Sequence, residues 1–195
     1  MLLLDRLRTE TADRHQRIEA ALDLLRPDLT RAHWTRLVAR FYGFYQPWEA
    51  AIGRAVHGGD LAEMAAQRRK LPWLEQDLVA LDVSPDALPR CQHLPSLDSP
   101  ARVLGSMYVL EGATLGGQHV SRHLEATLGL SDGRGYSFFR SYGPQTGQMW
   151  QAFRRTVSAL APALDADTMV EAACETFDRF HNWLTRGPGE PLTCP

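Results

Sequence analysis

The sequence predicts an all-α fold. Apolar residues recur at spacings of three and four through several long stretches, and Gly58-Gly59, the prolines from Pro85 to Pro95 and Ser131-Asp-Gly-Arg-Gly135 fall between those stretches. No segment carries a convincing alternation of apolar and polar residues, the pattern of a half-buried strand. A chain of 195 residues with this pattern fits one domain with a sizeable core.

The first helix is read from the stripe Leu4, Leu7, Thr11, His15, Ile18, Leu22 and Leu25, with Arg6, Asp13, Arg14 and Arg17 on the outward face. Arg26-Pro27-Asp28 ends it, and Thr30 is positioned to cap the second helix. That second helix carries Trp34, Leu37, Val38, Phe41, Phe44, Tyr45, Trp48 and Ile52, with a kink expected at Pro47 and a stop at Gly58-Gly59. A third helical region runs from about Asp60 to Leu81 and is interrupted at Pro72. Pro85, Pro89, Pro95 and Pro100 mark the following segment as a connecting loop with at most one short helical turn.

A long central helix is expected from about Pro100 to Leu128, closed by Gly129 and the turn-rich Ser131-Asp-Gly-Arg-Gly135. Tyr136 to Gly143 reads as a loop or short helix. Met149, Trp150, Phe153, Val157 and Leu160 define another helix, and Asp165 to Leu184 the last. Gly187-Pro-Gly-Glu-Pro191 begins a segment expected to be a disordered tail, leaving 1–186 as the domain.

Composition narrows the function. Hydrophobic residues at 44% and charged residues at 23% are those of an ordinary globular protein, and a net charge of −2 argues against a polyanion-binding surface and so against nucleic acid. No run of about 18 apolar residues exists, so no membrane span is expected. Met1-Leu-Leu-Leu-Asp-Arg turns charged too early for a signal peptide, which makes a cytoplasmic protein the default. Cys91, Cys174 and Cys194 form neither a Cys-x-x-Cys zinc pattern nor any other paired ligand spacing, so reduced thiols are expected.

The central helix holds the strongest local signal. Gly105, Gly112, Gly116 and Gly117 together sacrifice roughly 3–4 kcal/mol of helix propensity, and the first three share a face. Such a bare strip serves either close helix–helix packing or a flat ligand lying on exposed backbone, and it also permits a kink. His15 has a similar ambiguity: a histidine on an apolar stripe is either a hydrogen-bonded core residue or a ligand, and neutral imidazole is a good iron ligand.

These residues bring a family into view. Leu7-Arg-Thr-Glu-Thr-Ala-Asp-Arg-His-Gln-Arg-Ile-Glu19, with threonine four before and glutamate four after the histidine, resembles the proximal helix of haem oxygenases. Tyr108-Val-Leu-Glu-Gly-Ala-Thr-Leu-Gly-Gly-Gln118 resembles their distal helix. Tyr42-Gly-Phe-Tyr-Gln-Pro-Trp-Glu49, Lys70-Leu-Pro-Trp-Leu-Glu-Gln-Asp-Leu78 and Tyr142-Gly-Pro-Gln-Thr-Gly-Gln-Met-Trp150 match between and after them, in the family's order. The resemblance covers about Leu4 to Trp183 and is closest to the bacterial branch associated with phytochromes.

The resemblance implies a single-domain helical bundle with haem b, both substrate and cofactor, between the first helix and a glycine-rich kinked helix. It implies His15 as the metal ligand, with backbone at Gly112, Gly116 and Gly117 over the distal face, steering oxygen to one meso carbon. Biliverdin, carbon monoxide and ferrous iron would be the products, a ferredoxin or reductase the electron donor, and a bacteriophytochrome a recipient. Arg8 and Arg154 are the implied propionate partners, and Trp150 stands where some relatives have a second basic residue. Tyr108, Phe177 and Phe180 are candidates for the ring edge or simply core. Many relatives have an aspartate after the first distal glycine, where this chain has Ala113. Glu111, Thr114, Gln118 and His119 are then the nearby candidates for a water network, with His123 one turn further. His119 and His123 are equally readable as solvent-exposed. A haem-binding or haem-sensing protein without turnover is the alternative.

Overall fold

A computed structural model describes residues 2–185, and they fold as helices and connecting turns with no strand among them. The expected tail at 187–195 lies outside the described residues.

The first helix is two helices, α1 (Leu3–Glu10) and α2 (Ala12–Leu22). Thr11 is the joint. Its hydroxyl donates to the Leu7 carbonyl at 2.6 Å, the back-bonding by which a buried threonine bends a helix. Helix α2 also ends before the expected Arg26, because Asp23 takes a left-handed conformation (φ 39°). Leu25 is therefore outside the helix and exposed, not on the inward stripe. On the face expected to point outward, Arg14 and Arg17 both pair with Asp178, and Arg6 bridges to Asp167. That face is docked at its edge to the last helix.

Helix α3 (Arg31–Ala55) starts where expected: Thr30 accepts from the His33 amide at 3.2 Å. All eight residues of its predicted stripe are buried, and Pro47 sits within it. Gly58 and Gly59, both at positive φ, turn the chain into α4 (Gly59–Ala66). After a break at 67–70, α5 (Leu71–Ala80) begins with Pro72 in its first turn, where a missing N–H costs nothing. The segment from Asp82 to Ser99 contains no helix.

The central element is α6 (Pro100–Gly112), a 3₁₀ stretch (Ala113–Gly116) and α7 (Gly117–Leu128). Ser99 caps its start and left-handed Gly129 its end. The expected kink is thus a four-residue change of helix type, bracketed by Gly112 and Gly117. Beyond it come α8 (Ser137–Arg140), α9 (Thr146–Leu160) and α10 (Ala166–Thr185).

The core is built on α10, which packs against α6 most extensively and also against α1, α2 and α3. Phe180 stands within an aromatic group with Phe41, Phe44 and Tyr45. It is core, not a ring-edge residue. Buried indoles are satisfied: Trp34 donates to the Gly135 carbonyl and Trp48 to the Ser106 hydroxyl, both at 2.8 Å. No helix among the described residues is long and apolar enough to cross a membrane.

Candidate active site

The break at Thr11 and the break at Gly112 face the same space. A cleft of about 450 Å³ opens there, lined from α1 and α2 by Arg8 and His15, from α6 by Tyr108 and Gly112, and from α9 by Trp150 and Arg154. This volume is in the range of small-molecule and cofactor sites. Five residues singled out from the sequence, separated by up to 146 positions, are brought together.

His15 is not a core residue. Its side chain is 53% exposed, its Nε2 lies 3.5 Å from Glu19 Oε1, and its ring meets the edge of Phe177 at 6.0 Å between centroids. An imidazole on a cleft wall with so light a hold is free to bind something in the cleft. Phe177, also expected at the ring edge, lines the cleft.

Gly112 forms part of the wall. A Cβ there would stand 3.6 Å from the Trp150 ring, an ordinary contact, so glycine is not forced by the protein's own packing. What its missing side chain leaves open is cleft. Ala113 and Leu115 complete that wall, with Leu115 47% exposed. A carboxylate is absent where Ala113 stands.

The remaining glycines divide. Gly105 and Gly117 are packing residues: added Cβ atoms would come within 2.2 Å of the Met169 carbonyl and 2.0 Å of the Phe139 carbonyl. Gly117, expected over the ligand face, is buried against α8 instead. Gly116 is exposed, meets nothing within 4 Å, and is not part of the cleft wall.

Arg8 and Arg154 converge on Tyr108. Burial pushes the Tyr108 phenol up from its ordinary value, and the nearby positive charges of Arg154 and then Arg8 pull the other way. Both guanidinium-bearing residues are exposed at the mouth of the cleft, suited to carboxylates that stay partly in water. Trp150, missed as a site residue because its position was read as a lost cation, leans on Tyr108 (5.6 Å) and stacks on Phe153 (5.6 Å). Its place on the same helix face as Arg154, one turn away, was the available signal.

Other candidates fall elsewhere. Glu111 is buried with Lys70 behind the cleft wall, and the Thr114 hydroxyl donates to the Glu111 carbonyl at 2.7 Å. Gln118 and His119 are exposed, while His123 Nε2 is 2.9 Å from the Arg26 carbonyl, holding the middle of α7 to the α2–α3 turn.

The family profile described as Heme oxygenase matches residues 1–186. The chain belongs to the haem oxygenase family. As a member of the haem oxygenase family it is similar in structure to heme oxygenase 2 from Chlamydomonas reinhardtii, solved without heme (TM-score 0.77, 20% identity, 99% of this chain and 100% of that one). It is equally similar to heme oxygenase from Leptospira interrogans (TM-score 0.77, 20% identity, 95% and 99%). Heme oxygenase-1 from the cyanobacterium Synechocystis, solved in complex with heme, follows at TM-score 0.73 and 18% identity over 94% and 91%. No protein with a curated description matches this haem oxygenase family member by sequence.

Proposed function

We propose that this chain is a biliverdin-producing haem oxygenase that binds haem b non-covalently and cleaves it to biliverdin, carbon monoxide and ferrous iron. One observation carries the reading: a half-exposed histidine and a bare glycine backbone line one cleft whose mouth holds two arginines. The residues fit the group. His15 is a single imidazole donor, Gly112 leaves room for a planar ring, and Arg8 and Arg154 suit two propionates.

When bound, haem supplies the iron that activates oxygen and is itself the ring that is opened. The chain's residues do the rest. His15 on α2 would hold the iron, with the Glu19 carboxylate, 3.5 Å from its Nε2, placed to orient the imidazole. Arg8 and Arg154 would hold the propionates at the mouth of the cleft and so orient the bound ring. Tyr108, Trp150 and Phe177 cover the ring edge, and burial keeps the Tyr108 phenol protonated. Gly112, in this reading with Gly116 and Gly117, makes the 3₁₀ break that brings backbone close to the ligand face. Electrons come from a ferredoxin or a reductase. A cytoplasmic setting and a bacteriophytochrome as recipient of biliverdin complete the proposal, with residues 1–186 as the catalytic domain.

Ala113 favours a second reading, a haem-binding or haem-sensing protein without turnover, since no carboxylate projects from that point of the cleft wall. An absorbance time course of the haem-loaded protein under air, with an electron donor and catalase, separates the two. Decay of the Soret band with growth of a biliverdin band supports the oxygenase, and a stable Soret band selects the sensor.

A further inference from the structure

Behind the cleft wall lies a cluster of charges with almost no access to water. The side chains of Arg68, Lys70 and Glu111 are 5%, 3% and 3% exposed. Lys70 uses all three of its N–H donors: to Glu111 Oε2 at 2.6 Å, to the Arg68 carbonyl at 3.2 Å and to the Tyr142 hydroxyl. Tyr142 in turn donates to Glu111 Oε2 at 3.0 Å. Arg68 reaches back to the Met64 and Met149 carbonyls, and its Nε lies 3.5 Å from Glu111 Oε1. These last two atoms have no hydrogen-bond partner among the described residues.

Burying two cations and one carboxylate is expensive in desolvation, and apolar packing of the same volume commonly serves stability as well or better. What such a cluster adds is geometric: a carboxylate gripped from two directions stands in one place. Glu111 is the last side chain before Gly112. Of the residues that follow, Ala113, Leu115 and Gly116 are exposed and only Thr114 is buried, until Gly117 meets Phe139. The 3₁₀ stretch has few holds of its own. Its two ends carry them.

We propose that the Arg68–Lys70–Glu111–Tyr142 cluster positions the break in the central helix from behind, so that Glu111 is a positioning residue for the cleft wall at Gly112. One anchor of the break is ionic, at Glu111, and the other is steric, at Gly117. The α4–α5 link and the turn before α9 are thereby tied to the ligand-facing backbone, and the ligand affected is haem, which rests on the function proposed above.

Tyr142→Phe is the test, because it removes one hydrogen bond to Glu111 and one to Lys70 without stranding a charge. Hydrogen exchange of the ligand-free full chain is followed by mass spectrometry, comparing peptides over 108–120 with peptides over 166–185. The expected result is exchange faster by about tenfold in 112–117 with the α10 peptides unchanged, and haem affinity, read by Soret titration, reduced with little change in Tm. Lys70→Met, which leaves Glu111 only the Tyr142 hydroxyl and the more distant Arg68, should enlarge the same local effect. Unchanged exchange in 112–117, or protection lost evenly along the chain, overturns the proposal. The exchange experiment needs no haem, so a wild-type chain that failed to bind haem would sink the functional reading while leaving this one to be judged on its own data.

Discussion

Gly105 and Met169 meet backbone to backbone where α6 crosses α10: a Cβ added at Gly105 would stand 2.2 Å from the Met169 carbonyl oxygen and 3.0 Å from the Ala172 side chain. Neither obstacle is the movable end of a long side chain. Gly105→Ala must push the two helices apart at the centre of the core, a cost of about 2–3 kcal/mol. Gly116→Ala meets nothing and has φ −78°, so it should be neutral or gain about 0.5–1 kcal/mol from a less flexible unfolded chain. Denaturant melts of the two ligand-free variants check this. Equal effects would mean that the glycines of the central helix share one role.

His15→Ala should leave the ligand-free protein almost untouched, within about 0.5 kcal/mol, because the side chain is half exposed and meets Glu19 and the edge of Phe177. Haem titrated into the variant should fail to give the five-coordinate histidine spectrum of the wild type, and added imidazole should restore it in part. A wild-type spectrum from the variant would remove His15 as the iron ligand.

The contrast between these variants shows what could be read from the sequence. The stripe of α3 is legible residue by residue, since each of its eight predicted residues from Trp34 to Ile52 is buried. His15 and Arg8, two helical turns apart, and Arg154, placed by the resemblance alone, all line the cleft, and each carries its chemistry in a side chain that the sequence names directly. The break at Thr11 was not legible, because a threonine on an inward stripe looks the same whether its hydroxyl bends the helix or merely packs. Nor could the glycine strip be divided. Gly105, Gly112 and Gly117 differ only in what α10, α9 and α8 place opposite them, and those partners are 22 to 64 residues away in the chain. The buried cluster of Arg68, Lys70 and Glu111 was hidden for a related reason: in sequence, charges read as surface.

Arg8 and Arg154 make a separable prediction. Both stand at the mouth of the cleft close enough to influence the Tyr108 phenol, and each should contribute a charge-assisted hydrogen bond to a propionate in partial contact with water. Arg8→Ala and Arg154→Ala are expected to weaken haem binding by roughly 3–10-fold each, corresponding to about 0.7–1.4 kcal/mol, with the difference from wild type shrinking as salt is added. Haem dimethyl ester provides the control, since esterified propionates cannot pair with a guanidinium. If both variants lose the same affinity for the ester as for the acid, the arginines act through packing.

The last prediction concerns Asp77 and pH. Its carboxyl is fully buried between α5 and α8, accepting from the Ser137 amide at Oδ1 and the Phe138 amide at Oδ2, 2.9 Å for the second, and so holds the start of α8. Burial pushes its pKa up from 3.8 to about 6, against the pull of those two amides. Because the folded value lies above the unfolded one, the unfolded chain gives up this proton first as pH rises. The contribution is therefore full below about pH 4, declines between about pH 4 and 6, and is lost above. A rise of about two pKa units corresponds to something on the order of 3 kcal/mol. Asp77→Asn has no such titration, so the stability advantage of wild type over the variant should narrow by about that amount between pH 4 and pH 7 in urea melts. An advantage that widened with pH would mean that the two amides hold the carboxylate ionised and that α8 is capped by a charge.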